Sequence, residues 1–282
     1  MNIAGLVITF YPTKETFENI QTYLPYCNRL YIADNSDPNI IFPEEIYNNP
    51  KIKIIGDGEN KGIAERLNHV ARAAENEGFE WLLTMDQDSF FDQENITKYI
   101  DCIQAFNKKD RVAMFGIETE KQPSEINNTF QKTTMLITSG SILNLFLYPA
   151  IGGFDENLFI DEVDHEYCFR AIQKGFDIIK FTNIFLHHHL GMQQSFRSLK
   201  SMQTTERTFH SPIRLYYMFR NFLYISDKYK KYFPAELKLK KTDLLHRIKN
   251  HLLYRKQKLQ LLKMLRKAYK DYKKNNMGKI TL

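Results

Sequence analysis

Disulfide chemistry is the first possibility this sequence excludes. Its 282 residues hold three cysteines, Cys27, Cys102 and Cys168, far apart and without a CxxC pair. That usage supports neither a disulfide framework nor a cysteine zinc site, and it fits a reducing compartment. No internal repeat and no low-complexity tract occurs, and 43% apolar with 13% aromatic residues suffices for a proper core. Long apolar runs are scarce. Only the stretch between Lys132 and Asp155 lacks charge over a length that could cross a bilayer. Thr138, Ser139, Gly140, Ser141, Asn144, Pro149, Gly152 and Gly153 interrupt it, so strand, loop and short helix are expected there instead. The opening MNIAGLVITFYP has no basic segment ahead of its apolar residues and reads as a strand. No secretory signal is therefore expected, and a cytoplasmic location is.

Acidic residues run short towards the C-terminus. From Lys228 onward there are 18 Lys and Arg against three acids, a balance of +15; residues 1–227, with 21 against 30, stand at −9. Leucines interleave with these lysines, as in basic amphipathic helices that lie on anionic membrane surfaces. Packing of the same helices on protein is the competing expectation. A nucleic-acid-binding protein would use such a tract too, but that reading leaves the motifs below unexplained, so no nucleic acid is expected.

What is present is alternation. Residues 3–9, 30–33, 51–55 and 81–85 read as strands, with helical spacing over 14–23 and from Ile63 through Leu67, Val70, Ala71 and Ala74. Such a pattern predicts an α/β fold with a mostly parallel sheet and helices on both faces. Ligands in such sheets bind beyond the carboxyl ends of the strands. Thr9, Asp34-Asn35-Ser36 and Asp86-Gln87-Asp88 all fall at those ends. Farther on, a helix is expected over residues 161–174, a strand pair over 177–181 and 184–188, and helix from about Thr205, interrupted at Pro212 and Pro234.

Four stretches carry candidate chemistry. In WLLTMDQDSFF (81–91), Asp86 and Asp88 stand close enough to repel unless a cation lies between them. Hard carboxylate oxygens suit Mg2+ or Mn2+ holding a diphosphate. An aspartyl phosphotransferase would need Thr or Val where Phe90 stands. In GGFDENLFIDEVDHEYCFRA (152–171), a helix beginning near Asp161 would put Asp161, Asp164 and Cys168 on one face. A carboxylate in a helix's first turn is favoured in its charged form, which suits a general base and equally suits plain helix stabilisation. In FLHHHLG (185–191), His187 and His189 share one side of a strand and His188 the other. In SPIRLYYMFRN (211–221), Arg214, Tyr217, Arg220 and Asn221 lie on neighbouring turns, a sensible grip on phosphate.

Taken in order, VITFYP, ADNS, GENKGIAERLN, MDQDS, GGFDENLFIDEVDHEYCFRA, HHHLG and RLYYMFRN resemble the inverting GT-A (Rossmann-like) glycosyltransferases of family 2. They look most like bacterial rhamnosyltransferases of surface polysaccharide synthesis. The resemblance covers about residues 3–225. It implies a glycosyltransferase domain over 1–225 and a basic helical region over 226–282. By that resemblance Thr9 and Tyr11 lie beside the nucleotide base and Asp34 bonds to it. Asn60, Gly62 and Asn68 belong to the segment closing over the nucleotide. Asp86 would lie near the ribose, while Asp88 and His188 would hold Mn2+ or Mg2+. Ser139 and Gly140 would line the acceptor side, with Asp164 as catalytic base and Asp161 beside the acceptor as its rival. Many relatives have an acid where Val163 stands, a departure the rhamnosyltransferase-like branch tolerates. The implied donor is dTDP-rhamnose, with a UDP-hexose or UDP-galactofuranose as runner-up. The implied acceptor is a glycan hydroxyl on a lipid carrier, which would bring the enzyme to the inner face of the membrane. A catalytically dead scaffold of this fold is the remaining rival, and intact Asp88, Asp164 and His188 speak against it.

Overall fold

The computed structural model describes residues 1–38, 40–119, 129–188, 193–197 and 204–281, of which 188, 193–197 and 204–208 are described in backbone alone. They form two compact units: Met1–Glu156 with Val163–His189, and Asn157–Glu162 with Leu190–Leu282. This division differs from a single cut after residue 225.

The first unit begins β1 (Ile3–Thr9), α1 (Lys14–Tyr23), β2 (Arg29–Asp34), α2 (Glu44–Tyr47), β3 (Ile52–Ile55), α3 (Ile63–Asn76) and β4 (Trp81–Asp86). Strands β1, β2 and β4 are buried along almost their whole length, as strands covered on both faces must be, and they read as continuous apolar runs for that reason. Helix α3 turns Leu67, Val70, Ala71 and Ala74 inward at helical spacing and packs on β1 and β2. Next come β5 (Ser89–Phe90), α4 (Gln93–Ala105), β6 (Val112–Glu118), β7 (Phe130–Lys132), β8 (Ser141–Asn144), α5 (Tyr148–Ile151), α6 (Val163–Gln173), β9 (Asp177–Phe185) and β10 (His187–His188). The uncharged stretch is thus the strand, loop and short helix expected, and among the described residues no helix is long and apolar enough to cross a membrane.

Among the described residues eight strands make the main sheet, in the order β3-β2-β1-β4-β8-β6-β9-β7. The first four are mutually parallel, β6 and β9 are parallel, and β8 enters antiparallel between β4 and β6. The register aligns Thr9 with Asp34 and Ile8 with Asp86, so three strands end together at one edge. Residues 177–185 form one strand where a strand pair was expected.

Helix α6 starts at Val163, two residues later than the acidic spacing suggested, because Asp161 and Glu162 are both left-handed (φ 66° each) and cannot belong to a right-handed helix. Asp161 therefore does not share a helical face with Asp164. One turn on, Arg170 bonds to the fully buried Glu166 carboxylate at 2.7 Å and to the carbonyls of Ile151, Gly152 and Gly153 at 2.7–2.9 Å. That fork fixes α6 to the turn after α5, and removing it would strand a buried carboxylate.

The second unit holds β11 (Gln193–Arg197), β12 (Thr204–Thr208), α7 (Pro212–Tyr229), α8 (Pro234–Tyr254) and α9 (Lys258–Lys273). Helix was expected from Thr205; instead Thr204, Thr205 and Thr208 sit in a strand, the geometry β-branched residues favour. Pro212 and Pro234 open helices, where a missing N–H costs nothing. Tyr216, Tyr217 and Ala268 bind α7 to α9 in a small core.

His210, ahead of α7, has its Nε2 2.5 Å from the Arg247 guanidinium, so the neutral ring serves as acceptor. Burial, then the Arg247 and Arg214 charges, pull its pKa down to about 4, with Asp243 opposing. The unfolded chain therefore binds this proton more tightly than the folded one, and stability falls as pH drops from about 6.5 towards 4. Denaturant midpoints across that window should fall more steeply in wild type than in His210→Gln.

Candidate active site

The sheet edge where β1, β2 and β4 end gathers most of the predicted residues. Asp34 is buried, and its Oδ1 accepts from Thr9 Oγ1 at 3.2 Å, Ser36 N–H at 3.1 Å and Ser36 Oγ at 2.7 Å. Its other oxygen, Oδ2, is buried with no hydrogen-bond partner among the described residues. A buried acceptor left unsatisfied costs about 1–3 kcal/mol, which a ligand N–H would recover. Tyr11 stands beside it with a strained φ of 47°, held by Ser36 Oγ accepting its N–H at 2.8 Å and by the Asp37 carbonyl accepting its phenol. Its ring remains half exposed.

The second cluster surrounds the two aspartates. Asp86 N–H donates to Ser139 Oγ at 3.1 Å, and Ser139 Oγ donates to Ser89 Oγ at 2.8 Å. Gly140, at a φ of 75° that favours glycine, donates its N–H to the Thr84 carbonyl at 2.9 Å. The Ser139-Gly140 turn is thereby bound to the end of β4. Between the aspartates, the Gln87 amide accepts from Phe10 N–H at 2.7 Å and donates to the Phe10 carbonyl at 3.3 Å. Strands β5 and β10 pair antiparallel, setting Ser89 opposite His188 and Phe90 opposite His187. The His187 ring stacks on Phe90 (centroids 4.7 Å apart) and lies 3.3 Å from Asp92, the cap of α4. The backbone of His188 is thus across the ladder from the residue after Asp88, while its side chain, like all of His189, lies outside the described residues. Among the described residues no three His, Cys, Asp or Glu groups converge. Carboxylates at the end of β4 and in the turn before β5, with a histidine across the β5–β10 ladder, nevertheless make a donor set whose chemistry suits a small divalent cation.

A third cluster joins the segment after β3 to the end of β2. Asn35 accepts from Lys61 N–H and Arg66 Nε, each at 3.1 Å, and donates to the Gly62 carbonyl at 3.1 Å. Asn60 Oδ1 caps the Gly62 N–H at 3.1 Å, a local turn that starts α3. Arg66 is fully buried and pairs with Asp57 at 2.6 Å. Hydrogen bonds from Lys61 and then Arg66 hold the Asp57 carboxyl well below the usual range.

Two residues expected at the ligand are held by protein contacts. Asn68 is buried, its amide donating to the Phe154 carbonyl (2.9 Å) and Glu156 (2.7 Å) and accepting from Phe154 N–H (2.7 Å) and the Tyr148 phenol. It pins the Gly153-Phe154 turn. Arg220 is buried in the second unit, donating to Asn221, Tyr216 and the carbonyls of Asn276 and Gly278, with the rings of Tyr216 and Tyr217 each 5.2 Å away. Its guanidinium is held by these protein groups. Also in the second unit, Arg214 clamps Asp161 through two contacts of 2.7 Å, Asn221 donates to the carbonyls of Ile160 and Asp161, and Lys240 meets Glu162 at 2.8 Å. Asp164, half-buried in the first turn of α6, accepts its neighbour His165 N–H at 2.9 Å. Sequence reasoning placed Asn35, Ser36 and Gln87 at the strand ends without giving them a role, and it missed Ser89, which adjoins Asp88.

Parallel strands ending in an acid-rich edge, followed by an antiparallel strand and a short ladder beside the aspartates, define a GT-A-type nucleotide-sugar enzyme fold. The chain belongs to glycosyl transferase family 2, whose model matches residues 15–156, and it is a glycosyltransferase. It is 27% identical over 237 residues, 78% of each chain, to the dTDP-rhamnosyl transferase RfbF of Shigella flexneri. Its fold is similar to S. aureus TarS 1-349 in complex with UDP-GlcNAc, with a TM-score of 0.54, 14% identity and coverage of 96% of this chain and 80% of that one. Against a longer TarS chain the match covers 91% of this chain but only 44% of that one, with a TM-score of 0.53 and 14% identity. GalNAc-T7 with UDP, GalNAc and Mn2+ matches at a TM-score of 0.50 and 9% identity, over 67% of this chain and 44% of that one.

Replacing Asn35 by Ala should cost about 1–3 kcal/mol in urea unfolding, because Arg66 Nε is left buried without its acceptor. A loss below ~0.5 kcal/mol would show that the segment after β3 does not depend on this amide.

Proposed function

We propose that the enzyme transfers L-rhamnose from dTDP-rhamnose, with inversion at the anomeric carbon, to a hydroxyl of a lipid-carried surface glycan. The observation that carries the donor assignment is the 27% identity, across 78% of both chains, to a protein named for dTDP-rhamnosyl transfer. Asp34 Oδ2, buried and without a partner among the described residues, supports a role as acceptor for the base N–H, and the half-exposed Tyr11 ring offers the base a face. Asp86 would accept from the ribose. Asp88 and His188 would hold Mn2+ or Mg2+, which when bound neutralises charge developing on the departing diphosphate. Asp164 takes the proton of the acceptor hydroxyl as its oxygen attacks the anomeric carbon from the face opposite the diphosphate. The new C–O bond forms as the bond to the diphosphate oxygen breaks, and the configuration inverts. A carboxylate suffices as base because the proton leaves during attack and not before it. Ser139 and Gly140, tied to the end of β4, would border the acceptor, and Asp161 would contact it.

The test is binding and slow hydrolysis across dTDP-rhamnose, UDP-hexoses and UDP-galactofuranose, each with Mn2+, Mg2+ and EDTA. Metal-dependent binding of dTDP-rhamnose alone, lost in Asp88→Ala, is the expected result. Asp164→Asn should keep donor binding and lose about 10²–10⁴-fold in transfer. Preference for a UDP-sugar would overturn the donor, and no binding in any metal condition would overturn the site.

A further inference from the structure

We infer that the outward face of α9 is a docking surface for an anionic lipid bilayer. Between Arg255 and Leu282 there are ten Lys and Arg against one acid, Asp271. That acid is turned inward: Tyr216 donates to it at 2.7 Å and Lys267 pairs with it at 2.9 Å. Burial raises the cost of its charge, and these partners offset it, so its carboxyl stays below the usual range. The side of the helix that carries Lys263, Arg266, Lys270 and Lys273 thereby holds no acid of its own. What it presents is Lys263, Arg266, Lys270 and Lys273, interleaved with Leu259, Leu262 and Tyr269 at 77%, 51% and 50% exposure. At 100° per residue these seven share one side of the helix, while Leu261, Ala268 and Asp271 take the other. On the flank of the same face, Lys263, Arg266, Lys267, Lys270 and Lys274, with Asp271 and Asn276 at its inner edge, border a shallow cleft of about 400 Å³.

Charge complementarity names the occupant's sign and the apolar residues name its class. A phosphate backbone would answer the lysines and leave three large apolar side chains in water. A bilayer with anionic headgroups answers both: leucines and tyrosine enter the acyl boundary while the long cationic side chains reach back to the phosphates. The helix would lie in the interface plane, since it is too polar to cross it. This attachment is independent of the donor and catalytic assignments above.

Co-sedimentation of the full chain with vesicles tests it, using phosphatidylglycerol and phosphatidylcholine in equal parts against phosphatidylcholine alone. The expected result is binding to the anionic vesicles only, weakened by added salt. The variant Lys263→Gln/Arg266→Gln/Lys270→Gln/Lys273→Gln should lose more than about tenfold in vesicle affinity, with donor hydrolysis unchanged. Leu259→Ser/Leu262→Ser should bind more weakly as well, separating insertion from simple charge attraction. Should the quadruple variant fail to fold, the leucine pair and the salt dependence of wild type carry the test. Equal binding to both vesicles, undiminished binding in a folded quadruple variant, or tighter binding to duplex nucleic acid than to anionic vesicles would each overturn the proposal. A folded enzyme that binds its donor but no vesicle would refute this surface while leaving the transferase intact.

Discussion

A single buried carboxylate oxygen organises the sheet edge where β1 and β2 end. Asp34 Oδ1 takes hydrogen bonds from Thr9 on the neighbouring strand and twice from Ser36, and Ser36 Oγ in turn accepts the Tyr11 N–H. Taking a charge out of water is costly, and only donors fixed in place offset that cost. The ends of β1 and β2 therefore cannot drift apart without exposing or orphaning the charge. The next residue, Asn35, extends the same rigidity to the segment that opens α3. One strand end thus fixes three walls of the site.

How much of this was legible depended on where the information lay. Helix α1 and strand β1 fall where the pattern put them, because apolar spacing is local and each buries a regular face. Helix α3 was equally readable from Ile63 onward. The start of α6 was not. Asp161 and Glu162 look like ordinary first-turn acids, and their left-handed backbone coincides with contacts to Arg214, Asn221 and Lys240, between 53 and 78 residues away in sequence. The surroundings of Arg220 were hidden for a related reason: an arginine on an amphipathic helix suggests an anion, and nothing local reveals that Tyr216 and the carbonyls of Asn276 and Gly278 surround it. Asn68 followed the helical period correctly but faces the Gly153-Phe154 turn. Residue types were right at the strand ends, and long-range partners decided the rest.

Within the second unit, a strained segment is under unusual restraint. Two successive left-handed residues without glycine are costly, yet each carries a charge that a helix of the same unit neutralises: Arg214 of α7 for Asp161 and Lys240 of α8 for Glu162. The next residue in the chain, Val163, begins α6, whose first turn carries Asp164. The residues that make this restraint all lie outside the family's matched region, which ends at residue 156.

Gln87 stands between the paired aspartates. It bridges two strand ends through both polar atoms of its amide, engaging the N–H and the carbonyl of Phe10 together. An amide can donate and accept at once; a carboxylate or an ammonium group can do only one of these. The motif therefore carries three letters of chemical meaning and not two. Its middle position ties Phe10, just past β1, to the end of β4; a Glu there could keep only the bond from the Phe10 N–H, and a Lys only the bond to its carbonyl, without touching either acid.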